Sequence, residues 1–319
     1  MVEIGYALAS EEHGPRDLVR CARTAEEAGF SFAAVTDRYH PRTTRQGESS
    51  FVWTVIGAIA QATTSLRVMA AVTCPTVRMH PAIIAQAAAT AAAMMPGRFT
   101  LGVGSGEFLN EHILGDRWPP APIRTQMLVE AVAIIRALWQ GGKTSYSGRF
   151  FTLDRARIFT LPKELPPIMF AAEGALSAGA AGRVGDGLVN PNKEAGLICR
   201  LFRENGGEGK PAYLLLPVSP AESEEAGLCT AYERWPTFGN TAGLNRIVPT
   251  PEQFEHLATM VSPEALARWV IAGPDPERYI KAVEEGVRAG YDHIALLPVG
   301  PEREASIRFF GHEILPHVR

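Results

Sequence analysis

The chain has 319 residues, 46% of them hydrophobic and 20% charged, with a formal net charge of −3. Such a length suits one large α/β barrel or two smaller domains, and such a charge gives no basic field that would draw in nucleic acid. No apolar run reaches the roughly 20 residues that cross a bilayer, no basic segment precedes an apolar one at the N-terminus, and the scattered Cys21, Cys74, Cys199 and Cys229 suggest neither a zinc cluster nor a redox pair.

In chain order, short apolar runs alternate with amphipathic stretches. "VEIGYAL" reads as a strand, and "PRDLVRCARTAEEAGF" as a helix with Pro15 at its start and Gly29 at its end. "FAAVTD", "LRVMAAVTCP" and "RFTLGVGSG" are further strands, separated by the helices "FVWTVIGAIAQAT" and "HPAIIAQAAATAAAMMPG". The alanines of 82–93 signal close packing rather than function. A long helix, "IRTQMLVEAVAIIRALWQGG", leads into 141–166, which reads as a hairpin or long loop. "PPIMFAAEG", "GDGLVNP" and "PAYLLLPVS" are three more strands. The stretch 221–264 is long and rich in Pro and Gly, and is expected to form extra helices and a flap. The helix "PERYIKAVEEGVRAG" and the strand "YDHIALLPVG" close the pattern.

These strands are continuous apolar runs, as in a parallel sheet covered on both faces. About eight βα units match a TIM (β/α)8 barrel over 1–319 with insertions near 141–166 and 221–264; the alternative is an open doubly wound sheet. In a barrel, chemistry sits at the C-terminal ends of the strands. "GVGSGE" is such an end. It is not a dinucleotide fingerprint, because Glu107 stands where a third glycine belongs and would repel a pyrophosphate. Asp37 in "VTDRYHPR", the acids of "SEEHGPRD", and the ends "AAEG" and "NPNK" fall on the same face.

"VTCPTVRMHPAIIAQAAAT", "GRFTLGVGSGEFLNEHILGDRWPP" and "AAGRVGDGLV" together resemble the luciferase-like monooxygenase superfamily. The resemblance is to the branch that uses the deazaflavin coenzyme F420, which includes glucose-6-phosphate dehydrogenases, and it runs along most of the chain. It implies a TIM barrel, a homodimer, an enzyme with a small-molecule substrate, and coenzyme F420 ahead of FMN, while the scattered cysteines read as a reduced, cytoplasmic setting. It also implies residue roles. Asp37 matches a residue that contacts the ring, Ala71 and Val72 a bulge behind the ring with a non-proline cis peptide and Thr76 beside it, and Gly104, Ser105, Gly106 and Asn110 a loop that contacts ring and tail. Ala172, Glu173 and Gly174 match the loop around the phosphate, Glu173 standing where glycine is common. Glu107 matches an acid that exchanges a proton with the ring, Glu11 another active-site acid, and Lys193 and Arg268 basic residues for a substrate phosphate.

The dehydrogenases of this branch carry Asp-His-x-x-Pro-Trp after the second strand. Here Arg38 stands at the His and Arg42 at the Trp. A guanidinium keeps its proton, so Arg38 cannot serve as a general base. Three roles stay open for the arginines: recognising an anionic substrate, polarising a carbonyl or imine for reduction, or binding the acidic coenzyme tail while His40 or the acids do the catalysis. Solvated loop arginines are the plain alternative. The functions in competition are an F420-dependent oxidoreductase, an FMN-dependent monooxygenase, and a coenzyme-binding protein without catalysis.

Overall fold

The computed structural model describes residues 2–191, 195–239 and 247–318. Its strands are β1 (Glu3–Leu8), β2 (Phe32–Val35), β3 (Arg67–Thr73), β4 (Phe99–Val103), β5 (Thr144–Ser147), β6 (Thr152–Ala156), β7 (Ile168–Ala171), β8 (Gly187–Asn190), β9 (Ala212–Ser219), β10 (Ile271–Ala272) and β11 (His293–Pro298). Among the described residues, eight of them close a parallel ring in the order β1-β2-β3-β4-β7-β8-β9-β11, and β11 returns to β1. The expected TIM barrel is therefore present. Tyr6 shows the closure, level with Ala33 on one side and Leu296 on the other.

The helices are α1 (Pro15–Glu27), α2 (Val52–Ala62), α3 (Pro81–Met94), α4 (Phe108–Glu111), α5 (Ala121–Leu138), α6 (Ala175–Val184), α7 (Ala195–Phe202), α8 (Glu224–Arg234), α9 (Pro251–Ala258), α10 (Pro263–Ala267), α11 (Pro276–Arg288), α12 (Arg303–Glu313) and α13 (Leu315–Val318). Their starts follow local chemistry. Proline occupies the first turn of α1, α3, α5, α9, α10 and α11, where its missing N–H costs nothing. Side chains of Ser223, Thr250, Ser262 and Asp275 cap α8, α9, α10 and α11.

Two apolar layers result. Leu18, Ile56, Ile84, Leu128, Ile135 and Ile307 fill the space between ring and helices, while Phe32, Met69, Met169, Val189 and Leu215 fill the ring itself. On α3, Ala85, Ala88, Ala89 and Ala92 are buried in the outer layer, in keeping with close packing.

Two segments depart from the βα rhythm. Segment 141–166 contains the antiparallel hairpin β5–β6. Segment 221–264 contains α8 and α9 and the start of α10, and its Trp235, Phe238 and Val261 join the same apolar cluster as Ala9, Leu297 and Val299. One strand has no counterpart in the sequence reading. β8 pairs only with Ala212–Leu214 of β9, which leaves the far end of that edge open, and β10 takes Val218 and Ser219 there. Two residues carry too little pattern to be read as a strand in advance.

Candidate active site

The ends of β1 and β2 are stitched by short hydroxyl contacts. Ser10 donates its backbone N–H to Thr36 Oγ1 at 2.8 Å, and Thr36 Oγ1 donates to Glu11 Oε2 at 2.6 Å. This fixes Glu11, whose side chain has no exposed surface, pointing its other oxygen at the next strand end. There Arg38 Nε donates to Glu11 Oε1 at 3.0 Å, and Arg38 Nη1 donates to Glu107 Oε2. Arg42 Nη2 donates to the other Glu107 oxygen at 2.8 Å. Glu11, Arg38, Glu107 and Arg42 thus form one line of alternating charge across the mouth of the barrel.

The electrostatics follow from that line. Burial alone would lift the Glu107 carboxyl, but the Arg38 and Arg42 guanidinia outweigh it and hold the group at about 2. Burial disfavours the Arg38 charge, yet Glu107 and Glu11 hold its pKa above the ordinary value. Arg38 is therefore a permanent cation, as its chemistry predicts, and Glu107 a carboxylate at neutral pH.

A second network joins Asp37, Arg78 and Glu111. Asp37 accepts Thr73 Oγ1 at 2.7 Å and Arg78 Nη2 at 3.0 Å. The backbone N–H of Arg78 donates to Glu111 Oε2 at 2.7 Å, and its Nε lies 3.7 Å from Glu111 Oε1. The side chains of Asp37 and Glu111 have no exposed surface, and that of Arg78 is 8% exposed. Burial pushes the Glu111 carboxyl up to about 7, against the pull of Arg78. Arg78 and Glu111 had no role in the sequence reading. The signal was a charge shortly after each of two apolar strands, in "TVRMH" and "LNEH", but only the fold shows that the two meet.

The remaining expected residues divide. The peptide Ala71–Val72 is cis and lies within a register shift between Ala70 and Thr73. Thr76 is buried, and its Oγ1 has no partner among the described residues. The glycines serve packing as well as access: a Cβ on Gly104 would stand 2.7 Å from Val72 Cγ2, so that position needs glycine before any ligand arrives. Gly106 has φ +89°, a conformation natural to glycine. It follows Ser105 and turns the chain so that Glu107 leads into α4. Asn110 uses its Oδ1 to accept the backbone N–H groups of Tyr39 and His40, at 2.9 and 3.2 Å. His40 itself turns to α4, with Nδ1 at 2.9 Å from Leu109 O and its ring stacked on His112. It does not join the Glu107 line.

At the end of β7, Ala172 is buried, Glu173 is exposed, and Gly174 caps the N-terminus of α6. A Cβ on Gly174 would meet nothing within 4 Å, so this loop is open to a ligand. Arg268 is exposed just past α10 and takes no described part in either network. Lys193 lies outside the described residues.

Comparison with known proteins gives a consistent picture. The model of the luciferase-like monooxygenase family matches residues 2–293. An F420-dependent glucose-6-phosphate dehydrogenase of Microbacterium testaceum is 31% identical, over 100% of this chain and 98% of that one. A protein of the same name from Kribbella flavida is 33% identical, with the same coverage. The solved structure of an F420-dependent secondary alcohol dehydrogenase in complex with an F420–acetone adduct superposes with a TM-score of 0.93 at 30% identity, covering 100% of this chain and 99% of that one.

Proposed function

The chain belongs to the luciferase-like monooxygenase family and is a coenzyme F420-dependent oxidoreductase, and from that premise we propose that it runs as a reductase of a small polar carbonyl or imine. The residues at the mouth fit the coenzyme. Thr76 offers a buried hydroxyl still in want of a partner, and the open loop at Gly174 leads into the N-terminus of a ten-residue helix, a place suited to a phosphate. In this assignment Asp37, Ala71, Val72, Thr76, Gly104, Ser105, Gly106 and Asn110 surround the ring, and Ala172, Glu173 and Gly174 surround the phosphate.

The observation that carries the direction is the line Glu11–Arg38–Glu107–Arg42. The coenzyme supplies hydride chemistry when bound. Oxidising an alcohol also needs a base. Arg38 cannot be one, Glu107 is held at about 2, and His40 spends its Nδ1 on Leu109 O. Reduction needs the opposite, a fixed positive group where negative charge develops. Arg38 is such a group. Two of its five N–H donors are spent on Glu11 and Glu107, which leaves three to aim at a substrate oxygen or nitrogen. The alkoxide that forms is stabilised by Arg38 and takes its proton from water. Arg42 binds an anionic group of the substrate, and a sugar phosphate reaching Lys193 or Arg268 remains the alternative.

We also propose a homodimer. Phe51, Ile83 and Met94 are 54%, 57% and 39% exposed along α2 and α3, around an apolar groove of about 310 Å³ that Trp53 and Met79 also line. The cytoplasm is the compartment proposed, in accord with four unpaired cysteines. No described helix is long and apolar enough to cross a membrane.

Fluorescence titration with oxidised F420, with FMN as the control, tests the cofactor. F420 is expected to bind with micromolar or better affinity and at least about tenfold more tightly than FMN, a gap of about 1.4 kcal/mol. Equal or tighter FMN binding overturns the reading. Assays in both directions then separate a reductase from a dehydrogenase and from a protein that only binds.

A further inference from the structure

Glu111 stands where the loop of Glu107 meets the segments after β2 and β3. Its stem lies against the turn that delivers Glu107: a Cβ on Gly106 would stand 3.0 Å from Glu111 Cγ and 3.4 Å from its carboxyl carbon. The backbone N–H groups of Asn110 and Glu111 both donate to Glu107 O, at 3.0 and 3.1 Å. Its carboxylate faces the other way. Oε2 accepts the backbone N–H of Arg78 at 2.7 Å, and the N–H of Val77 adds to the hold. From there the Arg78 guanidinium donates to Asp37 Oδ1 at 3.0 Å, while Thr73 Oγ1 donates to Asp37 Oδ2 at 2.7 Å. One side chain therefore touches both the turn of Glu107 and the arginine that aims Asp37.

The charges in this cluster do not balance. Among the described residues Asp37 and Glu111 share one guanidinium, and burial together with those two acids pushes the neighbouring Cys74 thiol well up. The contact that would settle the balance is left open. Arg78 Nε and Glu111 Oε1 stand 3.7 Å apart, and both are buried without a hydrogen-bond partner among the described residues. Such a pair has two arrangements. With Glu111 ionised, the guanidinium is drawn between both acids; with Glu111 protonated, it is free to settle on Asp37 alone. Resting on the assignment of Asp37 and Glu107 to the mouth chemistry, we propose that Glu111 is a positioning residue for hydride transfer, whose carboxylate aims Asp37 through Arg78 while its stem sets the turn of Glu107. The groups that face it are Arg78 and Cys74 from beyond β3 and Asp37 from beyond β2. Glu107, held at about 2, stays an anion throughout.

Glu111→Gln separates this role from a merely structural one, because the two roles give opposite pH trends. The folded carboxyl titrates at about 7, and glutamine resembles its protonated form. Turnover is measured per coenzyme-binding site, in whichever direction the chain supports, as the ratio of native chain to variant. The kcat ratio is expected to be near one at about pH 5 and about tenfold at about pH 8, with KM little changed; a misplacement of about 1 Å costs up to about 10²-fold. A structural glutamate gives the reverse, a loss largest at about pH 5, where the substitution costs most stability. Fluorescence titration with oxidised F420 reads Asp37 without turnover: the variant is expected to bind like the native chain at about pH 5 and about threefold more weakly at about pH 8. Glu111→Asp keeps the carboxylate and is expected to restore both pH dependences. A kcat ratio that stays near one, or that peaks at low pH, overturns the proposal and leaves the cofactor and the role of Glu107 untouched. So does an aspartate variant that behaves like the glutamine one. Unchanged turnover in Glu107→Gln overturns the Glu107 assignment and this proposal together.

Discussion

Arg38 donates from Nη1 to Oε2 of Glu107, a carboxylate that reaches it from beyond the end of β4, 69 residues further along the chain. The pair makes both residues less adaptable. Glu107 keeps its charge and Arg38 keeps its direction. Replacing either changes what the other can do.

For Glu107→Gln the expected outcome is a folded protein with most of its coenzyme affinity and a turnover lower by about 10²-fold, the scale of losing a positioned electrostatic group. The amide cannot balance two guanidinia, so Arg38 and Arg42 lose their common anchor. Steady-state kinetics checks this, and an unchanged turnover removes Glu107 from the mechanism. The ion pair also sets a pH window for stability. Glu107 titrates at about 2 in the folded chain against about 4.5 when free, so its stabilisation is fully present above about pH 4.5 and fades as pH falls toward 2. Urea unfolding of the native chain and the variant is expected to converge across that interval.

Arg38→His replaces a fixed cation with a group that takes and gives protons near neutrality. Alcohol oxidation is expected to rise and carbonyl or imine reduction to fall. Rates measured in both directions decide the matter. A native enzyme that already oxidises glucose 6-phosphate, at a rate the substitution leaves unchanged, refutes the assigned role.

Arg78 stands between two fully buried carboxylates. Arg78→Met is expected to cost about 3–5 kcal/mol of stability, the usual penalty for stripping the partner from a buried charge, and to weaken coenzyme binding through Asp37. Glu111 gives this network its own pH signature. Its folded pKa of about 7 lies above the unfolded 4.5, so the folded state holds a proton that the unfolded chain releases sooner. The stability this brings is present below about pH 4.5 and lost as pH rises through 7. Glu111→Gln removes the titration, so its cost relative to the native chain is expected to be smaller at pH 8 than at pH 5. A cost that does not vary with pH counts against this assignment.

Ile83→Glu places a charge on the exposed face of α3. The fold is expected to tolerate it, since Ile83 is 57% exposed, while sedimentation shifts from dimer to monomer. A native chain that sediments as a monomer refutes the dimer.

Much of the barrel was legible along the chain. Parallel strands buried on both faces must be apolar throughout, so "VEIGYAL" or "PAYLLLPVS" announces itself, and Pro15, Pro81 and Pro276 mark helix starts by local chemistry alone. The motif around Gly104 and Glu107 likewise pointed to the mouth before any contact was known. The pairings within that mouth were not legible. Whether Arg38 faces solvent, a substrate or Glu107 depends on how far apart two strand ends lie once the ring closes, and no local pattern encodes that distance. The same holds for Arg78, which joins Asp37 to Glu111 across three separate segments, and for His40, which turns to Leu109 rather than toward Glu107. Propensity and burial act between neighbours in sequence or on one face, and so write the strands and helices into the chain. Charge pairing acts between groups close in space, and only closure of the barrel decides which groups those are.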